Sequence, residues 1–450
     1  MNEGLLSRTL QYALNYQNSV MERPVFPRPE DIMALDGFRE EWPDAGYSAI
    51  STLDLLHDLG SKGTVATTGG RYFGFVTGGS LPSAMAADWL LTAWDQCASL
   101  PVLSPVSAVI EDVAGGWVLE ALDLPRDSMV AFPTGASYGN LIALTAARRA
   151  QLLAQGHDVD AEGLRNSPPI RVIVSEETHA TLIKGLGVLG LGRNCVEIVP
   201  TDDQGCMSFK NLPPLDHSCI VCAQAGNVNS GGFDDFSAIA EATNKVGAWL
   251  HIDGAFGLWA RASGLHSYLA EGAQRAQSWV TDGHKWLNTP YDCGIVIIKD
   301  RAMVQDALGM NTAYLPEDKM IPAKDRLIEL SRRARGVTVW AALRSLGRIG
   351  LADMIERHCQ LAKMMADGLE KLGFCVHNKV VLNQIVASYG SQTRTEAIRS
   401  HLIDAGIAWC GPTQWKGHAA LRISISGWAT TTLDVQKTLE ALAKAIKEID

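Results

Sequence analysis

Three apolar runs of this chain end in polar residues whose types suit one chemistry. Ile170–Ser175 leads into Glu176-Glu177-Thr178-His179, Ala248–Ile252 into Asp253-Gly254-Ala255, and Ser278–Thr281 into Asp282-Gly283-His284-Lys285-Trp286. A fourth run, Ser128–Phe132, leads into Pro133-Thr134-Gly135-Ala136-Ser137 and then a helical stretch. Small residues at a helix start leave backbone N–H groups open at the positive end of the helix dipole, which suits a phosphate, and Ser137 adds a hydroxyl. Taken singly, each group has a plainer reading: a capping His179, an N-cap at Ser137 or Asp253, a solvated Lys285. Together they meet the needs of pyridoxal 5′-phosphate. The amine can hold its aldehyde as a Schiff base, the carboxylate can keep its pyridine nitrogen protonated, and the imidazole can stack on its ring.

The elements that must position these residues follow from the pattern. Short apolar, β-branched runs recur at Ser128–Phe132, Ile170–Ser175, Val196–Pro200, Cys219–Ala225, Ala248–Asp253, Ser278–Thr281 and Gly294–Lys299. Helical stretches such as Asn140–Gln155 and Phe236–Val246 separate several of them. Strands alternating with helices predict a mostly parallel α/β sheet of seven strands with helices on both faces, whose ligands sit at the carboxyl ends of the strands. Residues 1–80, broken by Pro24, Pro27, Pro29 and Pro43, read as a helical arm; 81–340 as the large cofactor domain; 341–450 as a small α+β domain. Between the last two lies an arginine-rich helix expected over Arg326–Leu346. In the C-terminal part, helices are expected at Asp353–Leu372, Arg394–Ala405 and Leu433–Ile449, and strands at Val381–Ser388 and Leu421–Ile425.

Several other signals are set aside. Gly185-Leu186-Gly187-Val188-Leu189-Gly190 matches the dinucleotide GxGxxG pattern, but no strand immediately precedes it and Thr181–Lys184 reads as helix up to the first glycine. Cys219 and Cys222 have CxxC spacing inside an apolar run with no second pair, so they read as core thiols and no metal site is expected. Nine scattered cysteines suit a reducing compartment. With 39 basic against 49 acidic residues the chain carries no protein-wide footprint for nucleic acid. No stretch reaches the length of a membrane span and the N-terminus lacks a signal-peptide core, so a cytoplasmic location is expected.

The same segments carry a resemblance. His251-Ile252-Asp253-Gly254-Ala255, Asp282-Gly283-His284-Lys285-Trp286 with Tyr291-Asp292-Cys293-Gly294, and Glu177-Thr178-His179 resemble the group II pyridoxal-dependent amino-acid decarboxylases, which include the aromatic-amino-acid and glutamate enzymes. Tyr72-Phe73-Gly74-Phe75-Val76-Thr77, Pro82, Ala86-Ala87-Asp88, Ser104-Pro105 and Arg332-Arg333-Ala334-Arg335 extend it. The resemblance implies an aspartate-aminotransferase-like fold (fold type I) and a homodimer with active sites at the subunit interface. It implies that Lys285 carries the cofactor, Asp253 pairs with the pyridinium, His179 stacks on the ring near the substrate and Ala255 packs on the opposite face. Ala136, Ser137, Asp282 and His284 fall around the cofactor, the first three at its phosphate end, and Thr77 in the substrate pocket. Tyr314, in the loop between Lys285 and Arg332, matches a tyrosine that a mobile loop presents to the neighbouring subunit's site.

Two positions depart from the family. Relatives often carry Asn where Asp282 stands; a carboxylate repels phosphate and could instead orient His284 or meet a neighbouring subunit. Gly226-Asn227-Val228 replaces a Gly-Thr-Thr turn. The activity implied is decarboxylation of an L-amino acid to its amine. The rivals are a decarboxylation-coupled oxidative deaminase, against which Tyr314 argues, an aminotransferase reading Arg422 as its carboxylate arginine, and a cofactor-binding scaffold without turnover. Phe73, Phe75 and Phe256 permit an aromatic substrate without demanding one.

Overall fold

The seven apolar runs form one sheet: β1 (Met129–Ala131), β2 (Arg171–Ser175), β3 (Val196–Val199), β4 (Cys219–Gln224), β5 (Trp249–Asp253), β6 (Ser278–Asp282) and β7 (Gly294–Ile298), in the order β1-β7-β6-β5-β4-β2-β3. The computed structural model describes residues 3–194, 196–309 and 323–449. Strands β3, β2, β4, β5 and β6 run parallel, and β7 lies antiparallel to both β6 and β1. Two reversals make β1 parallel to β6, so the carboxyl ends of β1, β2, β5 and β6 point to one edge. A sheet covered on both faces buries its strands completely, and β4, β5, β6 and β7 are buried at every residue. The helix Ala136–Ala154 covers one face, setting Ile142, Ala143 and Ala147 among Val172, Val174, Ile220, Val280 and Val296.

The chain divides into two compact units, one of Met1–Thr77, Lys363–His377 and Ile385–Asp450, the other of Gly78–Ala362 and Asn378–Gln384. The seven-stranded sheet belongs to the second. The first holds the helix Glu3–Ser19 and a sheet in the order β10-β11-β9-β8, formed by β8 (Cys375–Val376), β9 (Gln384–Ser388), β10 (Gly411–Trp415) and β11 (His418–Ser424). Within it the buried Arg71 donates from Nη1 to Asp434 Oδ1 (3.1 Å), from Nε to Ile407 O (2.8 Å) and from Nη2 to Met21 O (2.8 Å). One guanidinium thus fastens the N-terminal segment to the C-terminal elements.

The arginine-rich segment corrects an expectation. The helix begins at Gly336, ten residues later than Arg326, and runs to Lys371 across a break at Gly347 (φ 63°). The arginines before it form no helical face because each is held by a tertiary partner. Arg332 grips Glu111 with both ends of its fork (2.8 and 2.5 Å), Arg333 Nη2 donates to Asp88 Oδ1 (2.9 Å) and Arg335 Nε to Asp292 Oδ1 (2.8 Å). The GxGxxG segment lies in the helix Ala180–Val188 and its terminal turn, and Cys219 and Cys222 are buried free thiols of β4. Removing one member of a buried pair strands the other as an uncompensated charge, at a cost of about 3–5 kcal/mol. Arg332→Met should lower the urea unfolding free energy by about that amount, and adding Glu111→Met should recover most of it.

Candidate active site

At the shared edge of β1, β2, β5 and β6, Lys285 Nζ lies 3.0 Å from Asp282 Oδ2. The other oxygen of that carboxylate accepts the N–H of Ala136 at 2.6 Å. The helix Ala136–Ala154 has no side-chain cap from its own N-cap residue, Gly135. Asp282 supplies the cap from the end of β6, placing an anion at the positive end of the dipole. The open alternatives for Asp282 thus acquire a geometry. It joins Lys285 to the helix start, with His284 Nε2 farther away at 3.8 Å.

The turn after β6 is fixed from several sides. His284 Nδ1 accepts the Cys293 N–H (3.1 Å) and its ring stacks on Tyr291 at 4.5 Å between centroids. Burial pushes its imidazole down, so it is neutral with its proton on Nε2, toward Asp282. Trp286 donates to His358 Nδ1 (2.8 Å), and Asn288 Oδ1 accepts the Gly79 N–H (2.6 Å). Gly78 must be glycine, because a Cβ there would collide with the Lys285 carbonyl. Likewise a Cβ on Gly294 would lie 2.5 Å from the Gly135 backbone, which must pass close by to start the helix.

Asp253 ends β5 at 7% exposure. Its Oδ2 accepts from Asn140 Nδ2 (3.1 Å) and its Oδ1 from the Ala255 N–H (3.2 Å). No cation among the described residues forms an ion pair with it. Behind Asn140 stand His251 Nε2, 2.9 Å from Asn140 Oδ1, and Ser278 Oγ, 2.9 Å from both His251 Nδ1 and Trp249 Nε1. Strand geometry dictates this cluster. Trp249, His251 and Asp253 share one face by the two-residue repeat, and the register sets His251 opposite Ser278.

The remaining expected residues are placed as follows. His179 is exposed and caps the helix Ala180–Val188, its Nδ1 accepting the Thr181 N–H at 3.3 Å. Ser137 is exposed in the first turn of its helix and Ala255 is half-buried beside Asp253. Asn227 Oδ1 is turned onto its own loop, accepting from Asn229 N–H (2.8 Å) and Ser230 N–H (3.1 Å). Thr77 and Arg422 belong to the first unit, where Thr77 O accepts from Ser426 Oγ (3.0 Å). Tyr314 lies outside the described residues. Sequence reasoning missed Asn140. Its one signal was polarity on the apolar stripe between Ala136 and Ala143, and its partners became visible only with the strand register.

A lysine, a buried carboxylate and an anion-seeking helix start at one sheet edge define a fold type I pyridoxal-phosphate enzyme. The model of the pyridoxal-dependent decarboxylase conserved domain matches residues 63–389, and the chain belongs to that family. It is a pyridoxal 5′-phosphate-dependent carboxy-lyase acting on an amino acid. It is similar to the aromatic-L-amino-acid decarboxylase of Bacillus atrophaeus, 24% identical over 96% of this chain and 93% of that one. In fold it is similar to Oryza sativa TDC, solved with PLP and tryptamine (TM-score 0.92, 22% identical, 99% of this chain and 97% of that one). It is also similar to Rhodiola rosea 4-hydroxyphenylacetaldehyde synthase (TM-score 0.87, 19% identical, 100% and 99%). No helix among the described residues is long and apolar enough to cross a membrane.

Burial gives the site a pH signature. It pushes His251 down to about 4 from 6.5. A base depressed in the fold stabilises it above its unfolded pKa, and that contribution is lost as pH falls through 6.5 toward 4. Asp234, pushed up to about 6 from 3.8 by burial, acts with the opposite sign and favours the fold as pH falls. His251→Gln should therefore reduce the loss of unfolding free energy between about pH 6.5 and 4.5 by about 2 kcal/mol, measured by urea titration at each pH.

Proposed function

We propose that the chain releases CO2 from the α-carboxylate of an L-amino acid and returns the corresponding amine, using Lys285, Asp253, His179 and Tyr314. The observation that carries this assignment is the buried Asp253 carboxylate with no ion-paired cation among the described residues. An uncompensated buried charge is costly, and a protonated pyridine nitrogen is the cation it lacks. The rest of the donor set suits the same group. Lys285 offers an amine within the same edge, and Ser137 brings a hydroxyl to the first turn of the helix beside Ala136, whose own N–H Asp282 takes. Gly135 adds no side chain beside His284 and Asp282.

Bound pyridoxal 5′-phosphate supplies an aldehyde to hold the substrate amine and a protonated ring to take up the electron pair left by CO2. Lys285 Nζ would anchor the cofactor through its aldehyde, held in place by Asp282 at 3.0 Å. Asp253 secures the ring proton, since a nearby carboxylate raises the pKa of a cationic nitrogen. Each pKa unit is worth about 1.36 kcal/mol, so two or three units are worth about 100- to 1,000-fold in rate. The His179 imidazole would lie over the ring, Ala255 would pack on the opposite face, and Ser137, beside Ala136, would meet the phosphate end, while Asp282, next to His284, keeps Lys285 and the Ala136 N–H in place. Tyr314 donates the proton to Cα. Its position between Lys285 and Arg332 supports that role, and its type disfavours the oxidative reaction.

A homodimer accompanies this reading. Val106, Val109 and Val113 form an exposed apolar stripe on the helix Pro105–Ala121, and Trp89, Leu90 and Trp94 are exposed on Pro82–Trp94. Exposed large apolar side chains at successive turns of a helix suit an interaction surface, and a second copy of the chain would cover them. Incubating the cofactor-loaded protein with a panel of L-amino acids and quantifying CO2, amine, aldehyde and keto acid tests the reaction. Equimolar amine and CO2 are expected from at least one substrate. Keto acid without CO2, aldehyde with peroxide, or no product from any amino acid would each contradict it.

A further inference from the structure

We propose that Asn140, His251, Ser278 and Trp249 form a one-directional hydrogen-bond relay that holds Asp253 ionised and aimed at the cofactor's ring nitrogen. Asn140 and His251 are thereby positioning residues of the reaction. The inference rests on the assignment of Asp253 to that nitrogen. All five side chains are buried: Asn140, His251 and Ser278 at 0%, Trp249 at 5% and Asp253 at 7% exposure. Water therefore cannot substitute for a missing partner, and each donor and acceptor must be matched within the cluster.

With Asp253 ionised, one matching is favoured. An ionised carboxylate only accepts, so Asn140 must present its Nδ2–H to Asp253 Oδ2, at 3.1 Å. This turns Asn140 Oδ1, which also only accepts, to His251 Nε2 at 2.9 Å, and Nε2 must carry the proton. In the neutral imidazole Nδ1 is then an acceptor, and Ser278 Oγ donates to it at 2.9 Å. The Ser278 oxygen in turn receives the indole N–H of Trp249, a group that can only donate, at 2.9 Å. The role of each atom follows from its neighbour's. Burial keeps His251 neutral, as the scheme requires.

The opposite sense is disfavoured at both ends. Turning the Asn140 amide would set its oxygen against the Asp253 carboxylate. It would also force the His251 proton to Nδ1, where Ser278 would have to accept from both His251 and Trp249. With the relay intact, Asp253 receives two donated hydrogen bonds, one on each oxygen, from Asn140 and from the Ala255 N–H. The orientation of Asp253 is thus set by Ala255 on one oxygen and, on the other, by Asn140 with the groups behind it.

The test uses the full chain loaded with pyridoxal 5′-phosphate labelled with 15N at the ring nitrogen, read by its nitrogen chemical shift and by kcat and KM. In His251→Phe the signal should move from the protonated toward the neutral range, and kcat should fall about 10-fold or more with KM within about twofold. His251→Gln, whose amide N–H can reach Asn140 Oδ1, should restore both. Loss of packing alone would lower stability without moving the signal. Should His251→Phe not fold, Ser278→Ala releases the tautomer and should move the signal in the same direction. A wild-type signal and kcat in these variants, beside a moved signal in Asp253→Asn, would overturn the relay alone. An unmoved signal in Asp253→Asn as well would overturn the assignment of Asp253 with it.

Discussion

A carboxylate buried without a cation is the constraint around which this site is built. Asp253 sits at the end of β5 with two hydrogen-bond donors and no ion pair among the described residues. Such a group is tolerated when a ligand brings the missing positive charge, and pyridoxal 5′-phosphate brings one on its ring nitrogen. The surrounding architecture can be understood as what keeps that charge in place. The parallel strands deliver it to the same edge as Lys285, and the helix Ala136–Ala154 lays Asn140 across it. The polar faces of β5 and β6 supply the groups behind Asn140.

A second anion, Asp282, shows how the same edge handles charge before the cofactor is considered. It caps the helix Ala136–Ala154 and pairs with Lys285 at once. Its carboxylate ties the Lys285 amine directly to the positive end of a helix. The arrangement holds Lys285 in a defined position, and it sets two carboxylates, Asp253 and Asp282, at the ends of adjacent strands. Their neighbourhoods differ. Asp282 has a cation and a helix dipole, whereas Asp253 has only neutral donors. That difference is the physical reason for assigning the ring nitrogen to Asp253.

Much of this was legible from the chain alone. Fully buried parallel strands read as unbroken apolar runs, and each of the seven expected strands lies within two residues of an observed one; the helix Phe236–Val246 matches at both ends. Lys285, Asp253 and Asp282 were legible because a strand end followed by a small residue is where such sheets expose chemistry. The arginine-rich helix was misplaced because helical spacing carries no information about Glu111, Asp88 and Asp292, whose pairing holds those arginines outside the helix. Short strands such as β8 and β10 were missed because two to five residues, some of them exposed, lack a distinctive pattern. Asn140 and its partners were not legible, since their meeting depends on the β5–β6 register and on which face the helix covers.

The charge match at Asp253 can be tested without altering the protein. The apo chain is loaded either with pyridoxal 5′-phosphate or with the analogue whose ring nitrogen is replaced by C–H, and thermal unfolding and turnover are compared. Both should attach to Lys285, but only the natural cofactor gives Asp253 its cation. The natural cofactor should therefore raise Tm well beyond the analogue and alone support decarboxylation. Equal stabilisation by both, with comparable turnover, would contradict the account.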